Sequence, residues 1–276
     1  MNSTGILSAT QTRVMGVLNV TPDSFFGPSR VQSEAVIHKR GLEMIASGAH
    51  ILDIGGESSR PGAKPVGLEE ELERVLPALG VLSKTDALLS VDTYRAETAR
   101  QAIAHGATMV NDITAFQGDR AMASVVAETD VECVLMHMQG TPESMQDAPK
   151  YDDVMDELRA FFEERVQCAI DAGIDRENVW IDPGFGFGKT VQHNLEILNR
   201  LGELREIGCR ILIGTSNKSM IGAVLDADVD NRSEGTAATV AIAIQNGADA
   251  IRVHDVAAMA KVARMTDAVM GRIDID

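Results

Sequence analysis

Leu88-Leu89-Ser90-Val91-Asp92 is a short apolar run that stops on an acid, and the pattern recurs along the whole chain. Val14–Leu18 runs into Asn19, Ile51–Leu52 into Asp53, Met109–Val110 into Asn111, and Cys133–Met136 into His137. Val179–Ile181 stops at Asp182, Ile211–Ile213 at Gly214-Thr215-Ser216, and Ala250–Val253 at His254. The runs do not alternate apolar with polar, which is the mark of parallel strands buried on both faces. Between them lie stretches with helical spacing, at 31–47, 68–82, 95–105, 119–128, 152–172, 192–205, 231–246 and 255–270, and a short one near 218–225. Eight β-then-α units predict a (β/α)8 TIM barrel, in which the carboxyl ends of all strands face one cavity.

The chain has 276 residues, the size of one such barrel, and no Pro/Gly/Ser-rich linker divides it. A single domain over 1–276 is expected, with 1–13 as an N-terminal extension. Hydrophobic residues make up 45% but aromatic ones only 4%, so the core must be aliphatic and methionine-rich. The net charge of −16 repels phosphate backbones and anionic lipid. Neither nucleic acid nor a membrane is therefore expected as a partner, and an anion pocket needs its own Arg and Lys. Cys133, Cys168 and Cys209 are odd in number and far apart, against a disulfide framework or a zinc site. The start is polar, and no apolar run approaches the roughly 20 residues that span a bilayer. A soluble cytoplasmic protein is the expectation.

Asp53, Asp92 and Asp182 each follow a strand core. One such carboxylate is often a helix cap, but three at one mouth suit a ring with several N–H donors. Asn111 adds a mixed donor and acceptor, with Asp112 supporting it. Arg60, Lys218 and Arg252 bring positive charge to the same mouth. Arg252 and His254 alternate along the last strand and so share a side. They read as a phosphate or diphosphate site, the alternative being an ion pair of Arg252 with Asp255 or a neighbouring strand. Asp182-Pro183-Gly184-Phe185-Gly186-Phe187-Gly188-Lys189-Thr190 imitates a nucleotide loop, but a P-loop needs Gly where Pro183 stands, and the glycine spacing is wrong for a dinucleotide site. These glycines are expected to let the backbone approach a flat ligand, with Phe187 against it. Gly214 to Ser219 leads into a helix, whose exposed amides favour anions.

Met15 to Phe25 and Asp53-Ile-Gly-Gly-Glu57-Ser-Ser59-Arg60-Pro61-Gly62 resemble the two signatures of the dihydropteroate synthase family. Ser90-Val-Asp92-Thr, Val110-Asn111-Asp112, Met136-His137-Met138-Gln139-Gly140, the Asp182–Lys189 run, Lys218-Ser219 and Arg252-Val-His254-Asp255 follow in family order, over about residues 14–270. The resemblance implies a homodimeric barrel, the target of sulfonamides. Its reaction joins 6-hydroxymethyl-7,8-dihydropterin diphosphate to 4-aminobenzoate, giving 7,8-dihydropteroate and diphosphate. It places the pterin on Asp92, Asn111, Met136, Asp182, Gly214 and Lys218. The diphosphate falls to Asn19, Arg60, Arg252 and His254, with magnesium at Asn19. The aminobenzoate falls to Ser59, Arg60, Pro61, Phe187, Lys218 and Ser219. Asp92, Lys218 and Arg60 are the implied catalytic groups, and loops 19–30 and 55–67 the implied covers. Two departures stand out. Asn217 replaces the Arg usual between Ser216 and Lys218, and Ser24-Phe25-Phe26-Gly27-Pro28 replaces the usual Ser-Phe-Ser-Asp-Gly. A pterin-dependent methyltransferase, which would not need Arg252 with His254, and a pterin-binding protein without turnover are the competing readings.

Overall fold

The computed structural model describes residues 11–21, 30–58, 65–141 and 144–274. Its strands are β1 (Arg13–Asn19), β2 (Ile51–Gly55), β3 (Leu88–Asp92), β4 (Met109–Asp112), β5 (Glu132–Met136), β6 (Val179–Asp182), β7 (Arg210–Ile213) and β8 (Ala250–Val253). They close into a barrel in chain order, each parallel to the next, with β8 returning to β1. The outer ring is α1 (Arg30–Ala46), α2 (Leu68–Leu82), α3 (Ala96–Ala104), α4 (Met122–Ala127), α5 (Val154–Asp171), α6 (Val191–Arg200), α7 (Ser219–Leu225), α8 (Ser233–Gln245) and α9 (Val256–Val269). This is the (β/α)8 barrel that the eight runs predict. Among the described residues no helix is long and apolar enough to cross a membrane.

Side chains that point outward from the strands, such as Leu52, Ile54, Val91, Leu135 and Ile213, pack against the helices in the main core. Inward-pointing ones fill the barrel in layers. Met15, Ile51, Met109, Val134, Trp180, Leu212 and Ala250 form a separate apolar plug. Below it Glu132 receives Arg13 at 3.2 Å and Arg210 at 2.6 Å. The two guanidinium carbons lie 5.4 and 5.3 Å from the Trp180 ring centroid. The plug and these ion pairs fill the amino end of the barrel, and a polar cavity opens at the carboxyl end.

Strand register levels the polar residues at that end. Asn19 stands opposite Gly55, Gly55 opposite Asp92, Asp92 opposite Asn111, and Met136 opposite Asp182. Two helices are shorter than their spacing predicts. The 119–128 stretch becomes helical only at Met122, because the Asp119 carboxylate accepts from Ala96 N and Ala121 N, both at 3.0 Å. Such side-chain bonds compete with helix formation. The 192–205 stretch divides into α6 and a tighter turn over Leu201–Ile207, where Gly202 weakens the α-helix.

Candidate active site

A cavity of about 570 Å³ opens at the carboxyl end of the barrel. Asn19, Asp92, Asn111, Met136, Asp182, Phe187, Gly214, Lys218, Ser219, Arg252 and His254 all line it. Residues separated by more than 200 positions in the chain therefore meet in one pocket, as the sequence reading requires. Ser59, Arg60 and Pro61 lie outside the described residues; Ser58, just before them, lines the same cavity. Most of loop 19–30 and the middle of loop 55–67 also fall outside.

Asp53 sits one layer deeper than the sequence suggests. It pairs in register with Val17 and Ser90, is 0% exposed, and serves the cavity through its neighbours. Its Oδ1 accepts from Ser90 Oγ at 2.6 Å, and its Oδ2 from Asn111 Nδ2 at 3.2 Å and Arg252 Nε at 2.6 Å. Arg252 Nη2 also donates to Asp92 Oδ2 at 2.7 Å. Arg252 thus reaches across the barrel to β2 and β3, whereas Asp255 caps α9 by accepting from Ala258 N at 3.0 Å. The neighbouring-strand and Asp255 pairings raised from sequence are replaced by this cross-barrel pair. One edge of the guanidinium holds carboxylates. Among the described residues its Nη1 takes no hydrogen bond, which leaves it for an anion.

Burial pushes the Asp92 carboxyl up to about 7, against the downward pull of Arg252. Burial also raises Asp182, opposed by its bond from Gly184 N at 2.7 Å and by Lys218 and Arg252. Burial works against the Arg252 charge too, but Asp53 and Asp92 outweigh it and keep the guanidinium protonated. Asn111 gives one of its two amide N–H groups to Asp53, which fixes the amide, and its carbonyl oxygen takes no hydrogen bond among the described residues. Asp112 holds the turn beyond β4. It accepts from Thr114 N and Oγ1, both at 2.7 Å, and from Phe116 N at 2.9 Å, across left-handed Ala115 and Phe116.

The glycine loop after β6 makes a close approach of its own while Gly184 and Gly186 also line the cavity. A Cβ on Gly184 would stand 2.0 Å from His137 O, and one on Gly188 2.4 Å from Gln139 O. Both positions have positive φ, at +68° and +62°. Their glycines let the loop press on the chain's own backbone beyond β5. The loop thereby sets Phe187 on the cavity wall, where Lys218 Nζ lies 4.3 Å from the ring centroid. Sequence reading also missed three groups. Ser216 Oγ accepts from His254 N at 3.2 Å and meets its Nδ1 at 3.0 Å, orienting the imidazole. Met145 and Gln146, from the segment after β5, line the cavity as well, and Gln146 Nε2 donates to Gly186 O at 2.6 Å. Helix α7 has only seven residues. Its few aligned peptides would add little to the attraction of an anion.

The pterin binding enzyme family matches residues 15–254. A dihydropteroate synthase from Synechocystis is 44% identical over 261 residues, covering 94% of this chain and 90% of the relative. The chain belongs to the dihydropteroate synthase family. Among solved family structures, Yersinia pestis dihydropteroate synthase with a sulfonamide drug complex superposes with a TM-score of 0.88 at 38% identity, covering 98% of this chain and 99% of that one. Xanthomonas albilineans dihydropteroate synthase with 4-aminobenzoic acid has a TM-score of 0.88 at 42% identity, covering 95% and 94%.

Within this dihydropteroate synthase frame, Asn217 has a local explanation. Its φ is +57°, a conformation that Asn tolerates better than longer residues. Its N–H donates to Thr236 Oγ1 at 3.2 Å and its carbonyl accepts from Arg232 Nη1 at 2.9 Å. Asn217→Arg adds a cation beside the cavity. It is expected to lower KM for 4-aminobenzoate about twofold to fivefold, the worth of one exposed ion pair, and to cost about 1 kcal/mol of stability through backbone strain. Steady-state kinetics and a melting curve check both; an unchanged KM shows that other groups already supply the attraction.

Proposed function

We propose that the chain condenses 6-hydroxymethyl-7,8-dihydropterin diphosphate with 4-aminobenzoate to 7,8-dihydropteroate and diphosphate. The supporting observation is the meeting of Asp92, Asn111 and Asp182 with Arg252 and His254 in one cavity. A donor-rich ring edge suits Asp182 and Asn111, and the diphosphate suits Arg252 Nη1, His254 and Arg60. As the carbon–oxygen bond to diphosphate breaks, positive charge grows on the exocyclic carbon. The Asp92 carboxylate opposes that charge. The amine of 4-aminobenzoate, held between Phe187, Lys218 and Ser219, forms the new carbon–nitrogen bond and releases one proton. Excluding water protects the cationic carbon from hydrolysis.

Magnesium belongs to the same proposal. Among the described residues no cluster of three or more His, Cys, Asp or Glu is suited to a metal. Asn19 offers one neutral oxygen at the rim, so the donor set fits an ion that keeps waters and arrives with substrate phosphates. Bound there, it would neutralise charge on the departing diphosphate.

A homodimer is also part of the proposal. Val224, Leu225, Ile242, Met265 and Val269 are exposed on α7, α8 and α9, which pack side by side. An apolar surface of this kind favours a second copy. Free Cys133, Cys168 and Cys209 agree with a reducing, cytoplasmic location.

The test is diphosphate release from purified protein given the pterin diphosphate and magnesium, with and without 4-aminobenzoate. Release that depends on the amine, with dihydropteroate as product, is expected. Tight binding without release would support the non-catalytic alternative and overturn the synthase reading.

A further inference from the structure

Lys189 closes the glycine loop and is buried to 3% exposure. Its Nζ lies 3.0 Å from Phe187 O, 3.0 Å from His137 Nδ1, 3.1 Å from Gly184 O and 3.4 Å from His137 O. A buried ammonium is expensive unless hydrogen-bonded. Here the acceptors include three backbone carbonyls from two turns that border the cavity. A carbonyl only accepts, so Nζ donates to each of them. In the sequence this lysine stands where a nucleotide loop would place its phosphate-binding lysine; in the fold it serves the chain's own backbone.

We propose that Lys189 is a positioning residue for both ring subsites, its ammonium drawing together the carbonyls of His137, Gly184 and Phe187 so that Asp182 and Phe187 stand at fixed places on the cavity wall. The inference rests on the synthase reading above.

Two lines of contact connect Lys189 to the subsites. Gly184 gives its carbonyl to Lys189 and its N–H to Asp182 Oδ1, so one residue ties the ammonium to the pterin-facing carboxylate. Phe187 gives its carbonyl to Lys189 while its ring carries Lys218, so the aminobenzoate wall is tied in as well. The charges act in the same sense. Asp182 is drawn toward its ionised form by Lys218, Arg252 and Lys189. Lys189 is faced in turn by His137 at the end of β5, Asp182 on β6 and Lys218 beyond β7. Burial pushes it down to about 7, with Asp182 holding it up and Lys218 pressing it further down. Burial and then Lys189 push His137 down to about 3, so its ring is neutral and Nδ1 can share the donor that also points at the longer contact, His137 O.

The test compares the full chain with Lys189→Met, which keeps length and removes every donor. Ile197→Ala, in the buried face of α6 away from the cavity, is the control for lost stability alone. Lys189→Met is expected to raise KM for 4-aminobenzoate and Kd for the pterin diphosphate about tenfold each, with kcat changed less. The part of the acid limb of kcat/KM that Asp182 contributes beside Asp92 should move to higher pH, because Asp182 loses a cationic neighbour. Ile197→Ala should lower Tm comparably and leave all three unchanged. His137→Phe removes one of the four contacts and keeps an aromatic ring against Phe161, 4.7 Å away between centroids. It should shift KM and Kd about threefold in the same direction. Folded Lys189→Met with unaltered KM, Kd and acid limb overturns the proposal. So does a shift that Ile197→Ala reproduces. If Lys189→Met fails to fold, an unaltered His137→Phe overturns it. A parent chain without turnover counts against the synthase reading alone, since Kd for the pterin diphosphate still reports on Lys189.

Discussion

Asp92→Asn is expected to leave the barrel folded and to lower kcat by about 10²- to 10³-fold, the usual loss when one preorganised electrostatic group is removed. The amide is isosteric and can still accept from Arg252 Nη2, which reaches Asp92 Oδ2 at 2.7 Å. What disappears is the negative charge beside the carbon that becomes cationic. Binding should suffer less than turnover, because the charge matters most after the bond to diphosphate begins to break. The pH profile carries a second signature. Burial raises Asp92 to about 7, so the carboxyl is neutral below that value and ionised above it. Only the ionised form opposes the developing charge. Activity should therefore be present above neutrality and fall as pH drops through about 7. In Asp92→Asn the contribution of Asp92 to the acid limb should be gone, leaving that of Asp182, which burial also raises. Turnover within threefold of the parent would rule out the role assigned to Asp92.

Arg252→Met is expected to damage both stability and substrate affinity. Asp53, with no exposed surface, accepts from Arg252 Nε at 2.6 Å as one half of a buried ion pair. Removing one partner of a buried pair leaves an uncompensated charge and costs about 3–5 kcal/mol. A melting curve should show this loss, and adding Asp53→Asn should recover part of it because the orphaned charge is then removed as well. The affinity effect is separable from stability. Kd for the pterin diphosphate should rise about 100-fold, as expected when a charged hydrogen-bonding partner is lost, whereas Kd for the hydroxymethyl pterin without phosphates should change far less. Equal losses for both ligands would mean that Arg252 organises the ring site through Asp53, Asn111 and Asp92 and does not hold the diphosphate.

Much of the architecture was legible because a parallel barrel writes a simple pattern. Every apolar run became a strand, and each terminal polar residue except Asp53 fell at or beside a strand end. The family motifs assembled where strand order requires. Depth was not legible. Asp53 and Asp92 both follow apolar runs, yet register places Asp53 two residues lower, under Gly55 and out of the cavity. Partners were not legible either. In the sequence Arg252 reads as an anion-binding cation with His254, with Asp255 or a neighbouring strand as the alternative partner, but inward-pointing side chains find partners across the barrel, and nothing local in the chain encodes β2 and β3 as its neighbours. The glycine run invites a ligand interpretation for a similar reason. Left-handed glycines report a close approach without saying to what, and here it is the backbone of His137 and Gln139. Lys189 and Ser216 were passed over because each works through atoms of the main chain or of another side chain.

The account stands on one placement, the donor-bearing edge of the pterin against Asp182 and Asn111 with its phosphates toward Arg252 and His254. Crystals grown with the pterin diphosphate and magnesium, without 4-aminobenzoate, test it directly. The expected density shows ring nitrogens about 2.8 Å from the Asp182 carboxylate, ordinary charge-assisted hydrogen-bond distance, and the exocyclic carbon facing Asp92. A ring bound elsewhere, or turned with its phosphates toward Asp182, would contradict it.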